Sequence, residues 1–229
     1  MNELLKNLTE AVGVASNENE VRRLIRDLIA DFVDEWHVDA LGNLLALKKG
    51  TGASPLRILV DAHMDEVGLM ITDVESNGTF KFEGVGGFND RTLLGKVVQV
   101  GPDKIIGVIG ARPVHLLKPD QYHSVVKVDA MRIDIGAKNK EAANGKVKAG
   151  DYAAFVTEYE ELGRTAVGKA FDNRAGCAAL VELLRARPYP FDLYASFSVQ
   201  EEVGLRGAQV AAYGIYPDAA LVLECTPAY

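Results

Sequence analysis

The sequence predicts an α/β fold interrupted by a smaller all-β segment, and three observations carry that prediction. An apolar stripe at helical spacing lies near the N-terminus. Short apolar runs ending in acidic residues or histidine recur in the first and last thirds of the chain. Between about Gly68 and Gly163 the texture changes to β-like runs punctuated by glycine.

Taken in order, the apolar residues Val21, Leu24, Ile25, Leu28, Ile29, Phe32, Val33 and Trp36 make a wide helical stripe, with Asn17 and Glu20 placed as a capping-box-like start. "HVDALGNLLALKK" reads as strand, turn and strand around Gly42 and Asn43, and "PLRILVDAHMD" as a buried strand ending in polar residues. The middle runs, such as "GTFKFEGVGGFNDRTLLGKVVQVG", show no helical period and read as a separate small β domain. Asp172 then opens a helix through about Arg187, "FDLYASFSVQ" is a strand, Leu205 to Tyr213 a helix and "DAALVLEC" a final strand. The expected division is 1–68 and 164–229 as the two parts of one α/β domain, with 69–163 inserted.

Composition narrows the function classes. The 229 residues are 48% hydrophobic, enough for a substantial core. A net charge of -7 and a pI near 5.2 argue against a nucleic-acid surface, which needs an excess of Lys and Arg. The N-terminal stretch carries Glu3, Glu10, Glu18 and Glu20 without a continuous apolar core, so it does not read as a secretory signal. No run approaches the roughly 18 apolar residues of a membrane span. The two cysteines, Cys177 and Cys225, sit in apolar contexts and read as buried thiols, with a reducing cytoplasm as the default compartment.

The chemistry gathers at predicted strand ends, where ligands of open α/β sheets bind. "DAHMDEVG" carries His63 and Asp65, "KAFDNRAG" Asp172, "SVQEEVG" Glu201 and Glu202, and "VLECTPA" Glu224. Singly each has an ordinary reading: Asp172 as a helix N-cap, His63 as a hydrogen-bonded core histidine, Glu224 as a strand-end charge, the glutamate pair as a solvated loop. Jointly they collect several carboxylates around one imidazole, and that repulsion calls for a cation. Imidazole with carboxylates suits zinc and its neighbours, and a shared carboxylate permits two ions about 3.5–4 Å apart. Of the adjacent glutamates, one could bind metal while the other moves protons, and Asp65, two residues from His63, could accept the second imidazole N–H.

At these residues the chain resembles the M42 family of metallo-aminopeptidases, the glutamyl/leucyl and tetrahedral aminopeptidase group. The matching stretches, in the family's order, are "DAHMDEVGLMI", "GVIGARPVHLLKP", "GKAFDNRAGCAAL", "SVQEEVGLRGA" and "LVLECTPA". The resemblance implies a catalytic α/β domain with a central mixed sheet flanked by helices, and an inserted PDZ- or barrel-like β domain that dimerises and helps build twelve-subunit shells. It implies two divalent ions, zinc or cobalt with manganese as a further candidate. His63 and Glu224 would bind one ion, Glu202 the other, and Asp172 both, while Glu201 would act as general base and Asp65 as the partner of His63. It further implies a cis peptide between Asp172 and Asn173, and short peptides trimmed from the N-terminus by metal-activated water. Family members continue past Tyr229 and bring a second metal-binding histidine there, which none of His37, His115 and His123 matches in motif. A metal-dependent deacylase of N-acyl amino acids, or a fragment that keeps only the assembly role, are the alternatives. The spaced carboxylate pair and sugar-stacking aromatics of a glycosidase are not seen.

Overall fold

The computed structural model describes residues 2–116 and 124–227, so His123 and Tyr229 lie outside the described residues. The chain forms two compact units, Met1–Glu66 with Glu158–Tyr229, and Val67–Thr157. In the first unit the elements are α1 (Asn2–Glu10), α2 (Asn19–Ile29), β1 (Glu35–Val38), β2 (Leu44–Lys48) and β3 (Arg57–His63). The second holds β4 (Gly68–Val74), β5 (Phe80–Val85), β6 (Val97–Val100), β7 (Ile105–Gly110), β8 (Arg132–Asp134), a short α3 (Lys140–Asn144) and β9 (Tyr152–Phe155). The chain returns to the first unit with β10 (Glu160–Leu162), β11 (Thr165–Val167), α4 (Phe171–Arg185), β12 (Asp192–Ser198), α5 (Arg206–Ile215) and β13 (Ala219–Val222).

The first unit is built on a five-stranded mixed sheet of order β1-β2-β12-β3-β13. Strands β12, β3 and β13 run parallel, and β1 and β2 pair antiparallel at one side. Val60 and Ala62 of β3 point into a core made with Leu4 and Leu8 of α1, Val21, Ile25 and Ile29 of α2, and Cys177, Leu180, Val181 and Leu184 of α4. Leu59 points the opposite way and packs with Leu45 under Ala211 and Ile215 of α5. That alternation is the two-residue period of a strand buried on both faces. Among the described residues no helix is long and apolar enough to cross a membrane.

The second unit closes on itself as a six-stranded barrel, β4-β5-β8-β7-β6-β9. Leu69, Ile71, Phe80, Phe82, Val98, Val100, Ile109 and Ile133 fill it, and closure removes the free sheet edges. Phe88 meets Phe155 edge to face, with ring centroids 6.3 Å apart.

Several local expectations are corrected. The helical stripe stops at Ile29 and continues only as a 3₁₀ turn, Ala30–Phe32, while Trp36 lies on β1. Asn17 does not cap α2: the N-cap is Glu18, whose Oε1 accepts from Ser16 N, and Glu20 Oε1 accepts from Val12 N. The β insertion contains the single helical turn and a half of α3, capped by the Asn139 side chain accepting from Ala142 N. The hairpin β10–β11, whose glycine turn reads like the insertion, belongs to the first unit, where Tyr159 N donates to Glu10 Oε1 at 3.2 Å. Helix α1 carries no prediction from sequence, and α4 ends at Arg185.

One polar bridge holds the segment that leaves β12. Asn43, in the β1–β2 turn, accepts from Val199 N at 3.0 Å and donates to Gly207 O at 2.9 Å, both contacts buried. Gly207 must therefore pass close: a Cβ there would collide with the Val199 carbonyl and the Asn43 amide. Gly207→Ala is expected to destabilise the chain by about 1–3 kcal/mol, read as a lower urea midpoint with an unchanged slope.

Candidate metal centre

Because β12, β3 and β13 are adjacent and parallel, their carboxyl ends open along one rim of the sheet. His63, the last residue of β3, is 2% exposed. Its Nε2 faces Asp172 Oδ1 at 3.0 Å, Glu224 Oε1 at 3.6 Å and Glu201 Oε2 at 3.9 Å. Three carboxylates from three different segments thus meet one ring nitrogen.

Asp172 lies in the first turn of α4 but is not helical, with φ −80° and ψ 106°, and it follows Ala170 in the left-handed region. The Asp172–Asn173 peptide is cis. The N-cap reading of Asp172 does not hold, since its carboxylate faces His63, whereas Asn173 Oδ1 accepts from Gly176 N at 3.0 Å and does the capping. Asn173 Nδ2 also donates to Leu223 O at 2.7 Å, which ties the end of β13 to α4 one residue before Glu224. Glu224 is held further by Cys225 N, which donates to Oε1 at 2.9 Å.

Asp65 is fully buried, and its two oxygens accept from Glu201 N at 3.0 Å and Glu202 N at 3.1 Å. Its Oδ1 is 3.5 Å from His63 Nδ1, longer than a normal hydrogen bond. Spacing alone assigns Asp65 to the imidazole; in the structure it also anchors the backbone of both glutamates. Gln200 with φ 56° and Gly204 with φ 126° shape that loop.

The charges are unbalanced. Burial alone would lower the pKa of His63, but Asp65, Glu224 and Glu201 outweigh it and raise the imidazole to about 9. Burial pushes Glu202 up to about 7, against the pull of His63 and with the help of Asp172, Asp65 and Glu201. Burial also raises Glu224, opposed by its hydrogen bond from Cys225 N and by His63, and reinforced by Asp172. Cys177, whose Sγ faces the carbonyl of His63 at 3.2 Å, is pushed up to about 12 by burial and stays a neutral thiol. Cys225 is only half-buried, and both thiols are free.

The residues present fit a divalent cation. One donor atom each from His63, Asp172 and Glu224 lie within 4.8 Å of one another. Imidazole nitrogen with carboxylate oxygen is a donor set that zinc, cobalt and manganese accept. Glu201 and Glu202 stand outside that set, and each is tied to the site through its backbone N–H on Asp65. His37 lies on β1 and His115 in a 3₁₀ turn of the second unit. Sequence reasoning passed over Glu66, Lys169 and Arg174, all buried. Their signal was a charged residue inside the glycine-bounded stretches "DAHMDEVG" and "KAFDNRAG".

Known proteins resemble the chain over nearly its whole length. The family model described as M42 glutamyl aminopeptidase matches residues 42–229. A putative aminopeptidase of Acetivibrio thermocellus is 41% identical over 227 residues, 99% of this chain and 66% of that protein. A solved TET aminopeptidase from the marine sediment archaeon Thaumarchaeota archaeon SCGC AB-539-E09 superposes with a TM-score of 0.94 at 38% identity, over 99% of this chain and 66% of that one. The Pyrococcus horikoshii TET1 peptidase, described as able to assemble into a tetrahedron or a large octahedral shell, has a TM-score of 0.88 at 37% identity, over 98% of this chain and 69% of that one. The chain thus spans about two thirds of the length of such relatives.

The raised pKa values fix a sign. For both His63 and Glu202 the folded chain holds a proton that the unfolded chain releases at lower pH, so folding stability falls as pH rises through these windows. The metal-stripped chain is therefore expected to melt at progressively lower temperature from about pH 5 to about pH 9. Adding Co(II) should flatten that slope by displacing the proton of His63, and a calorimetric pH series checks both.

Proposed function

The chain belongs to the M42 glutamyl aminopeptidase family, and from that premise we propose that it acts as a metal-dependent aminopeptidase releasing N-terminal residues from short peptides. The observation that carries the proposal is the convergence of Asp172, Glu224 and Glu201 on the buried Nε2 of His63, at 3.0, 3.6 and 3.9 Å.

His63 and Glu224 would hold one ion, Glu202 a second, and Asp172 both; zinc or cobalt suits the donors, as does manganese. A divalent ion there supplies a Lewis acid for the scissile carbonyl and lowers the pKa of water. Asp65 fixes the rest of the arrangement: it faces the imidazole from behind and accepts from the backbone of both glutamates, so the acid–base group and the ligands move as one. Glu201 is the general base. Its carboxylate is the farthest of the three from Nε2, at 3.9 Å, and lies outside the His63, Asp172 and Glu224 donor set, which leaves it free to handle protons. It takes the proton of the attacking water and delivers it to the departing amine.

Self-association through the inserted barrel completes the reading. On β6 and β7, Val97, Ile106 and Val108 are exposed, and Val97 pairs with Val108 across the ladder, giving an apolar strip on the barrel's outer wall. The shells described for the P. horikoshii relative support assembly as its purpose.

Two measurements test these statements. Glu201→Gln should retain metal and fold but lose about 10²–10⁴-fold in turnover, with a free-amine peptide anilide cleaved by the parent and its N-acetyl counterpart spared. Preference for the acetylated compound would mark a deacylase instead. Ile106→Glu with Val108→Glu should reduce the mass seen by light scattering without lowering the melting temperature.

A further inference from the structure

The region behind the metal centre contains an ionic group that the proposed chemistry does not use. Arg174 is 0% exposed, Glu66 2% and Lys169 8%. Lys169 Nζ donates to both oxygens of Glu66, at 2.8 and 2.9 Å, and to Ala11 O at 2.9 Å. Arg174 Nε donates to Met64 O at 2.8 Å, and Nη1 to Ala11 O at 2.9 Å and to Leu8 O. Its Nη2 lies 3.6 Å from Glu66 Oε1. Glu66 Oε1 also accepts from Gly13 N at 2.9 Å, and the two backbones bond again through Glu66 N to Gly13 O.

Stability alone is a poor reason for such a group, because apolar side chains of similar volume commonly replace buried ion pairs at no cost. Its place in the chain supplies a better one. Lys169 and Arg174 stand on either side of Asp172, and their partners Met64 and Glu66 stand on either side of Asp65, directly after His63. Each flank of the Asp172 segment is thereby fastened to the segment carrying the imidazole. Gly13 leaves the passage open, since a Cβ there would sit 2.6 Å from Arg174 Nη2.

We propose that Glu66, Lys169 and Arg174 form a buried clasp that sets the separation of His63 and Asp172, and so act as positioning residues for the metal centre. The inference rests on the metal-centre reading above. The clasp touches neither substrate nor ion; it fixes two backbone segments whose side chains must meet at the distance a shared cation requires.

The test is Co(II) binding by the whole chain, followed by calorimetry and by the visible absorption bands of the ion, with melting temperature measured beside it. In Glu66→Leu/Lys169→Met both charges of the closest pair are removed together, and Arg174 loses its carboxylate but keeps its hydrogen bonds to the carbonyls of Met64, Ala11 and Leu8. The expected result is a chain that still unfolds cooperatively at a lowered melting temperature, with Co(II) bound about 10–100-fold more weakly and with shifted bands. Parent-like affinity and bands in that variant would overturn the clasp while leaving the metal centre intact. Should the double variant fail to fold, Lys169→Arg and Lys169→Met decide: affinity kept by arginine and lost with methionine supports the clasp, and equal affinity in both overturns it. A parent chain that takes up no Co(II) would instead overturn the metal-centre reading, and the clasp with it.

Discussion

Repulsion among carboxylates crowded against one imidazole is the constraint on which the rest of this structure turns. Asp172, Glu201 and Glu224 come from three separate segments, and all face His63 Nε2 within 3.9 Å. The same crowding raises the pKa of His63, through Asp65, Glu224 and Glu201, and adds to the burial that raises Glu202. The topology concentrates the charge, because three neighbouring parallel strands bring His63, Glu201 and Glu224 to one rim and the start of α4 adds Asp172. A fold that only needed stability would have spread those charges apart.

Most of the first unit was legible because a buried parallel strand and a helical stripe leave strong periods. β3 and β12 were readable as apolar runs ending in polar residues, and α4 as the helical run after Asp172. Trp36 was misread because Phe32, Val33 and Trp36 continue a helical spacing through Val33, where the chain in fact turns extended. Competition between local hydrogen bonds explains the caps. Glu18 turns back to Ser16, and Asn173 rather than Asp172 meets the free N–H of α4, since Asp172 is engaged by His63.

The candidate site divides along similar lines. His63, Glu201 and Glu224 end or follow strands and declare themselves as charge after an apolar run, whereas Asp172 reaches the same place from the first turn of α4. Those that support them do not: Glu66, Lys169 and Arg174 look like surface charges in sequence, and only the packing of α1 over their partners makes them buried. Asp65 falls between. Its spacing from His63 pointed to the imidazole, but its two backbone contacts depend on where the loop after β12 returns, which no local pattern encodes.

The amide of Asn173 has a mechanical meaning beyond capping. Among the described residues β13 pairs with one strand, β3, through Ala219 to Val222. Glu224 follows directly after it, yet the carbonyl just before Glu224 is moored to α4 through Asn173. The carboxylate of Glu224 is therefore positioned by the helix as much as by the strand it follows, so the distance between Asp172 and Glu224 is set within a single tether.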